Sequence, residues 1–167
     1  MRIARASALC FVATLTACAG LQIPGTTTGG STGGPSSGDV AADVVRYTND
    51  ARAANGVAPL ATNARLIEAA RLHANQMASY RRLEHEIPQA QYPTMVSRLE
   101  AVGYRYANVA ENIAWNVSGA RQVVNGWMNS SSHRANILDT RLTEMGAAMA
   151  RSSNGETYWV QVFGQPR

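Results

Sequence analysis

The spacing of apolar residues changes along this chain from a helical period to an alternating one. Val40, Val44 and Tyr47 recur at helical intervals, and Asn55-Gly56 ends the run. This predicts a helix over 40–54 capped by Asp39. Leu66, Ala70, His73, Met77 and Ala78 form a second stripe, which predicts a helix over 64–82. Asn63 starts it, and Tyr80, Arg81 and Arg82 close it with basic charge at the negative end of the helix dipole. A short helix over 94–102 turns Met95, Leu99 and Val102 inward and stops at Gly103. A fourth, over 119–129 with Ser118 as cap, buries Val123, Val124, Trp127 and Met128. The period then falls to two. Met145, Ala147 and Met149 alternate with Gly146, Ala148 and Ala150. Asn154-Gly155 signals a two-residue hairpin turn, and Tyr158, Val160 and Val162 alternate with Trp159, Gln161 and Phe163. Helices first and a hairpin last make the fold class α+β.

The first 38 residues follow neither period. Residues 1–17 read as a signal peptide, with Arg2 and Arg5 at the charged end and an apolar run from Ala6 to Leu15 too short to span a bilayer. Leu15-Thr16-Ala17-Cys18 matches a bacterial lipobox, in which Cys18 is acylated after cleavage. Several acyl chains, at about 0.8 kcal/mol per buried methylene, hold a protein permanently on a membrane. Gly, Ser, Thr and Pro dominate residues 19–38, a flexible linker with a root-mean-square reach of about 25 Å. The expected organisation is signal peptide 1–17, lipidated Cys18 with linker to 38, and one domain over 39–167. Its place is extracytoplasmic, anchored to the envelope, and on the outer membrane if the host has two.

Composition narrows the function classes. At 46% hydrophobic and 16% charged residues, the chain can build a core and is no disordered polyelectrolyte. Every basic residue is Arg, and without Arg2 and Arg5 the net charge falls from +4 to +2, with no basic stripe. Nucleic acid is therefore not an expected partner. Cys10 and Cys18 are the only cysteines, so the domain holds itself together by packing rather than by an internal disulfide.

Chemistry concentrates between Asn108 and Asp139. Glu111 and His133 are the residue types that most often share a proton or a metal ion, and one cleft can hold both. Ser130, Ser131 and Ser132 precede His133, and Asn136 follows it. These serines read as a turn with a helix cap, because a triad needs its base to approach from across a cleft. His85-Glu86-Ile87-Pro88-Gln89 imitates a zinc-protease motif but lacks its second histidine, and Pro88 disfavours the helix that motif needs. His73, on the apolar stripe, reads as a packed histidine or a site residue. Glu111, His133 and Asn136 also fit a buried hydrogen-bond network with no chemistry of its own.

ENIAW at 111–115, VVNGWMNSSSHRANIL at 123–138, MGAAMA at 145–150 and YWVQVFG at 158–164 occur in the order of the bacterial branch of the CAP superfamily, also called SCP-like domains. TNDARAANGVAPL at 48–60 resembles that family's opening, with Asn49 and Arg52 on one helix face. The resemblance implies a three-layer α-β-α sandwich around a small antiparallel sheet. It implies a cavity in which Glu111 is the glutamate of the ENI motif, His133 the second histidine and His85, or else His73, the first. Ser130 stands where the eukaryotic members carry a second glutamate. His85, Glu111 and His133 would then be the ligands of a divalent cation, zinc or magnesium. The implied function is a ligand-binding or interaction module whose ligand is a lipid or an envelope component. The alternative is a metal-assisted hydrolase of envelope or extracellular substrates.

Overall fold

The computed structural model describes residues 37–167. The signal peptide, Cys18 and the linker up to residue 36 lie outside the described residues. The elements in order are α1 (Ser37–Ala54), β1 (Ala61–Thr62), α2 (Ala64–Tyr80), α3 (Met95–Ala101), β2 (Tyr106–Trp115), α4 (Ala120–Asn129), α5 (Ser131–Leu138), β3 (Glu144–Arg151) and β4 (Thr157–Pro166).

Most of the predicted boundaries have a local cause. Asn63 accepts from the backbone N–H groups of Arg65 and Leu66 and so starts α2. Thr94 and Ser97 form a capping box on α3. Gly103, at a φ of +68°, takes the left-handed turn that ends the same helix. Three expectations are corrected. Helix α1 begins at Ser37, inside the predicted linker and ahead of Asp39. Gly119 rather than Ser118 occupies the cap of α4, because the Ser118 hydroxyl turns to Gln122 Oε1, 2.7 Å away. The β3–β4 connection is a five-residue loop over 152–156, since Arg151 pairs with Thr157. Asn154-Gly155 forms only its tip, where the Gly155 N–H donates to Ser152 O.

The strands form one sheet in the order β1-β3-β4-β2. β4 pairs antiparallel with both neighbours, whereas the two residues of β1 run parallel to β3. The sheet is thus mixed rather than purely antiparallel. Helices cover both faces. Leu66, Ala70, Met77 and Leu99 from α2 and α3 pack on Ile113, Tyr158, Val160 and Val162. Val44, Val123, Trp127 and Ile137 from α1, α4 and α5 pack on Met145, Ala147, Trp159 and Phe163. The expected three-layer sandwich follows from the strand period of two, which sends alternate side chains into the two cores.

Two polar residues of the opening motif bind the layers together. Asn49 brackets Leu60, donating to its carbonyl at 3.0 Å and accepting from its N–H at 2.8 Å. Arg52 is buried and donates to the carbonyls of Ala58, Ile137, Asp139 and Leu142. One guanidinium thereby caps the end of α5 and fixes both the chain that follows it and the turn after α1.

Candidate functional site

The site lies on β2, the edge strand opposite β1. Glu111 and Asn112 are sequence neighbours on a strand, so their side chains leave on opposite faces. Glu111 points to the layer of α2 and α3, and Asn112 to the layer of α5.

On the first face, Glu111 is nearly enclosed, with 3% of its side chain exposed. Its Oε1 accepts from His85 Nδ1 at 2.9 Å, and its Oε2 accepts from Arg98 Nη2 at 2.8 Å. His73 Nε2 lies 3.6 Å from the same Oε1. The three partners arrive from different places. His73 projects from the middle of α2, Arg98 from α3, and His85 from the segment between those helices. Arg98 also donates to the carbonyl of His85 at 3.3 Å, so it holds the backbone of the residue whose ring Glu111 orients. The His85 side chain is 56% exposed although its Nδ1 is bound to the buried carboxylate.

On the second face, Asn136 donates to Asn112 Oδ1 at 2.9 Å and to the Glu111 backbone carbonyl at 3.3 Å. Asn112 donates to the carbonyl of His133 and to Gln161 Oε1, both at 3.2 Å. Gln161 donates to Thr48 Oγ1 at 2.6 Å, carrying the network to α1. Each side chain in this relay has a partner, as buried polar groups require.

Of the predicted site residues, the structure brings His85 and Glu111 into contact. Asn136 reaches the Glu111 backbone but not its carboxylate. His133 sits in the first turn of α5 and supplies its carbonyl. Among the described residues, no hydrogen bond or ion pair joins the His133 ring to Glu111. The Ser130 hydroxyl faces Ser132 at 3.4 Å rather than the imidazole. Both candidates for the first histidine are present at the carboxylate, His85 in contact and His73 behind it. Arg98 is the partner that sequence reading missed. Its only signal is a charged residue beside Leu99 on the inward side of a short helix.

Burial, set against hydrogen bonds and neighbouring charge, decides the protonation states. It pushes the His73 imidazole down to about 4, despite the nearby carboxylate, so His73 is neutral. The hydrogen bond to Glu111 raises His85 above its ordinary value against the smaller cost of burial. For Glu111, burial favours the neutral acid, but the His85 hydrogen bond and the neighbouring charges, Arg98 among them, outweigh it and lower its pKa. Burial also lowers His133, and the charge of His85 adds to that. The site is an ionised carboxylate held between a guanidinium and an imidazole.

A divalent cation does not fit this arrangement. Among the described residues, no group of three His, Cys, Asp or Glu side chains is placed to hold one. Each Glu111 oxygen already accepts a hydrogen bond, and the guanidinium compensates its charge. Chemically, the pair leaves an oriented imidazole whose Nε2 can accept or donate a proton at the surface.

This sandwich of helices on both faces of a four-stranded sheet has the fold of SCP domains. An extracellular protein containing an SCP domain from Bacillus anthracis superposes with a TM-score of 0.67 at 22% identity, over 80% of this chain and 45% of that one. An outer surface protein of Borrelia burgdorferi gives 0.67 at 19% identity, over 74% of this chain and 90% of that one. Residues 45–163 match the model of CAP, the cysteine-rich secretory protein family, and the chain belongs to that family. The uncharacterized protein YkwD of Bacillus subtilis is 32% identical over 120 residues, covering 72% of this chain and 45% of the relative. The chain thus spans less than half the length of that curated relative.

Proposed function

We propose that the protein is an extracytoplasmic, lipid-anchored binding module. The ligand is a component of the cell envelope, bound without catalysis at the surface around the exposed His85 ring. The observation that carries this reading is the His85–Glu111 pair: a buried carboxylate spends one oxygen on fixing an imidazole that is itself more than half exposed. Orienting a surface ring in this way presents a directional hydrogen-bonding group to whatever docks there. The surface proteins with this fold support an extracytoplasmic place. No helix among the described residues is long and apolar enough to cross a membrane. Attachment would therefore fall to Cys18, outside the described residues, and mass spectrometry of the mature N-terminus should find that cysteine acylated.

The test is pull-down of purified peptidoglycan and envelope lipids by the intact protein and by His85→Ala. Binding should fall at least tenfold in the variant with little change in melting temperature. Equal binding by the two proteins would remove His85 from the ligand site.

The same pair favours a second reading, a hydrolase of envelope substrates. Here His85 Nε2 takes the proton of a water that attacks an amide carbonyl, and the imidazolium, stabilised by Glu111, gives that proton to the leaving amine as the C–N bond breaks. Turnover of muropeptides or peptides that disappears in His85→Gln while binding persists would establish it.

A further inference from the structure

We propose that the Arg98 guanidinium is the resident cation of this site, fixed beside Glu111 in place of a divalent metal ion. This concerns the charge of the site and stands whether or not His85 binds an envelope component.

Both partners are withdrawn from water, with 1% of the Arg98 side chain and 3% of the Glu111 side chain exposed. A carboxylate so placed needs one compensating positive charge, and a guanidinium supplies it at every accessible pH. The contact is a charge-assisted bond of 2.8 Å. Arg98 Nη1 is buried without a hydrogen-bond partner. The guanidinium therefore sits where the carboxylate needs it rather than where its own donors are best satisfied. It also anchors the backbone of His85, the second ligand such a metal would recruit.

An incoming divalent cation would meet three obstacles. One Glu111 oxygen is bound to a fixed positive charge, the other to His85 Nδ1, and a low-dielectric surrounding magnifies repulsion between cations. The chain thus retains the acid and an imidazole of a metal site while an internal positive charge replaces the ion. Without Arg98, Glu111 would keep two imidazoles close to Oε1, at 2.9 Å for His85 and 3.6 Å for His73. Carboxylate and imidazole are ligand types suited to zinc, and because the three side chains as they stand are not placed around one ion, they must also draw together when the guanidinium is gone.

Zinc alone is the probe. Calorimetric titration of the wild type should give no heat that depends on Glu111, so wild type and Glu111→Gln should titrate alike. Arg98→Met should gain one zinc per chain, bound at least tenfold more tightly than any zinc on the wild type. Arg98→Met/Glu111→Gln should lose that site again. Zinc should also raise the melting temperature of Arg98→Met and leave that of the wild type unchanged. A wild-type zinc site abolished by Glu111→Gln would overturn the proposal, as would a folded Arg98→Met that binds zinc no better than the wild type. If Arg98→Met folds neither with zinc nor without it, the wild-type comparison decides: equal titrations support the proposal and a Glu111-dependent site refutes it.

Discussion

Glu111 cannot be left alone where it is, and the residues around it carry opposite costs. Removing one member of a buried ion pair strands the other, at about 3–5 kcal/mol. Glu111→Gln and Arg98→Met should each lower unfolding stability by about that amount in urea titrations, whereas the double variant should lose clearly less than their sum. Additive losses would mean that the two side chains do not act as a pair. The histidines separate by sign. His73 is held neutral by burial, so protonation favours the unfolded chain. Its contribution is complete above the unfolded value near 6.5 and is lost as pH falls towards about 4. That difference corresponds to about 3 kcal/mol. His85 is raised, so its contribution is complete below 6.5 and is lost as pH rises through its folded value. Glu111 is lowered, and its contribution is lost only as pH falls below the ordinary carboxylate value of 4.5. Stability should therefore decline from pH 6.5 towards 4, and His73→Gln should flatten that acid limb in melts taken across the interval. An unchanged limb would assign it to another group.

Among the elements, legibility followed periodicity. Helices α1 to α4 and the strands β3 and β4 carry unbroken apolar patterns or strong caps, and they form close to where the pattern places them. Strand β2 was not legible, because Asn108, Glu111 and Asn112 interrupt its alternation with the polar groups that make the site. Helix α5 was legible only at its start, where the serines read as a turn with a helix cap and Ser130 stands at that cap, because no apolar stripe marks the turns that follow. The parallel pairing of β1 rests on two exposed residues and leaves no pattern at all. Asn49 and Arg52 were legible as a pair on one face, but only long-range geometry shows that they bind the backbone of distant segments. Arg52→Met should then leave the buried carbonyls of Ile137 and Leu142 unpaired. At about 1–3 kcal/mol for each group, the loss should be severe and should show as a large drop in melting temperature. Gly146 marks a close approach of the same kind. A methyl group there would overlap the backbone of Leu66 and Ile67 at the start of α2. Gly146→Ala should force α2 off the sheet and cost about 3 kcal/mol or more. A near-neutral effect in chemical denaturation would show that the helix can slide.

At the scale of the molecule, the site sits where the two cores meet at an edge of the sheet, and its parts differ in how firmly they are held. Glu111, His73 and Arg98 stand on regular elements packed into one core. His85 stands on the segment from 81 to 94, which has neither helix nor strand. That segment is held by buried Ile87, whose N–H donates to the Pro93 carbonyl at 3.0 Å, by the Ala90 N–H on Ile87 O at 2.9 Å, and by the Glu111 and Arg98 contacts to His85. His85→Ala removes the ring contact and keeps the ion pair behind it. A charge-assisted bond is worth about 1.5–3 kcal/mol when buried, and the exposure of His85 reduces this to about 1 kcal/mol. Hydrogen exchange at neutral pH should therefore accelerate about fivefold at the Ile87 and Ala90 amides, while the central strand β4 keeps its protection. Acceleration spread evenly over β4 and this segment would mean that His85 supports the whole fold. Acceleration confined to the segment would show that Glu111 fixes His85 and its segment locally, leaving the sandwich behind it unchanged.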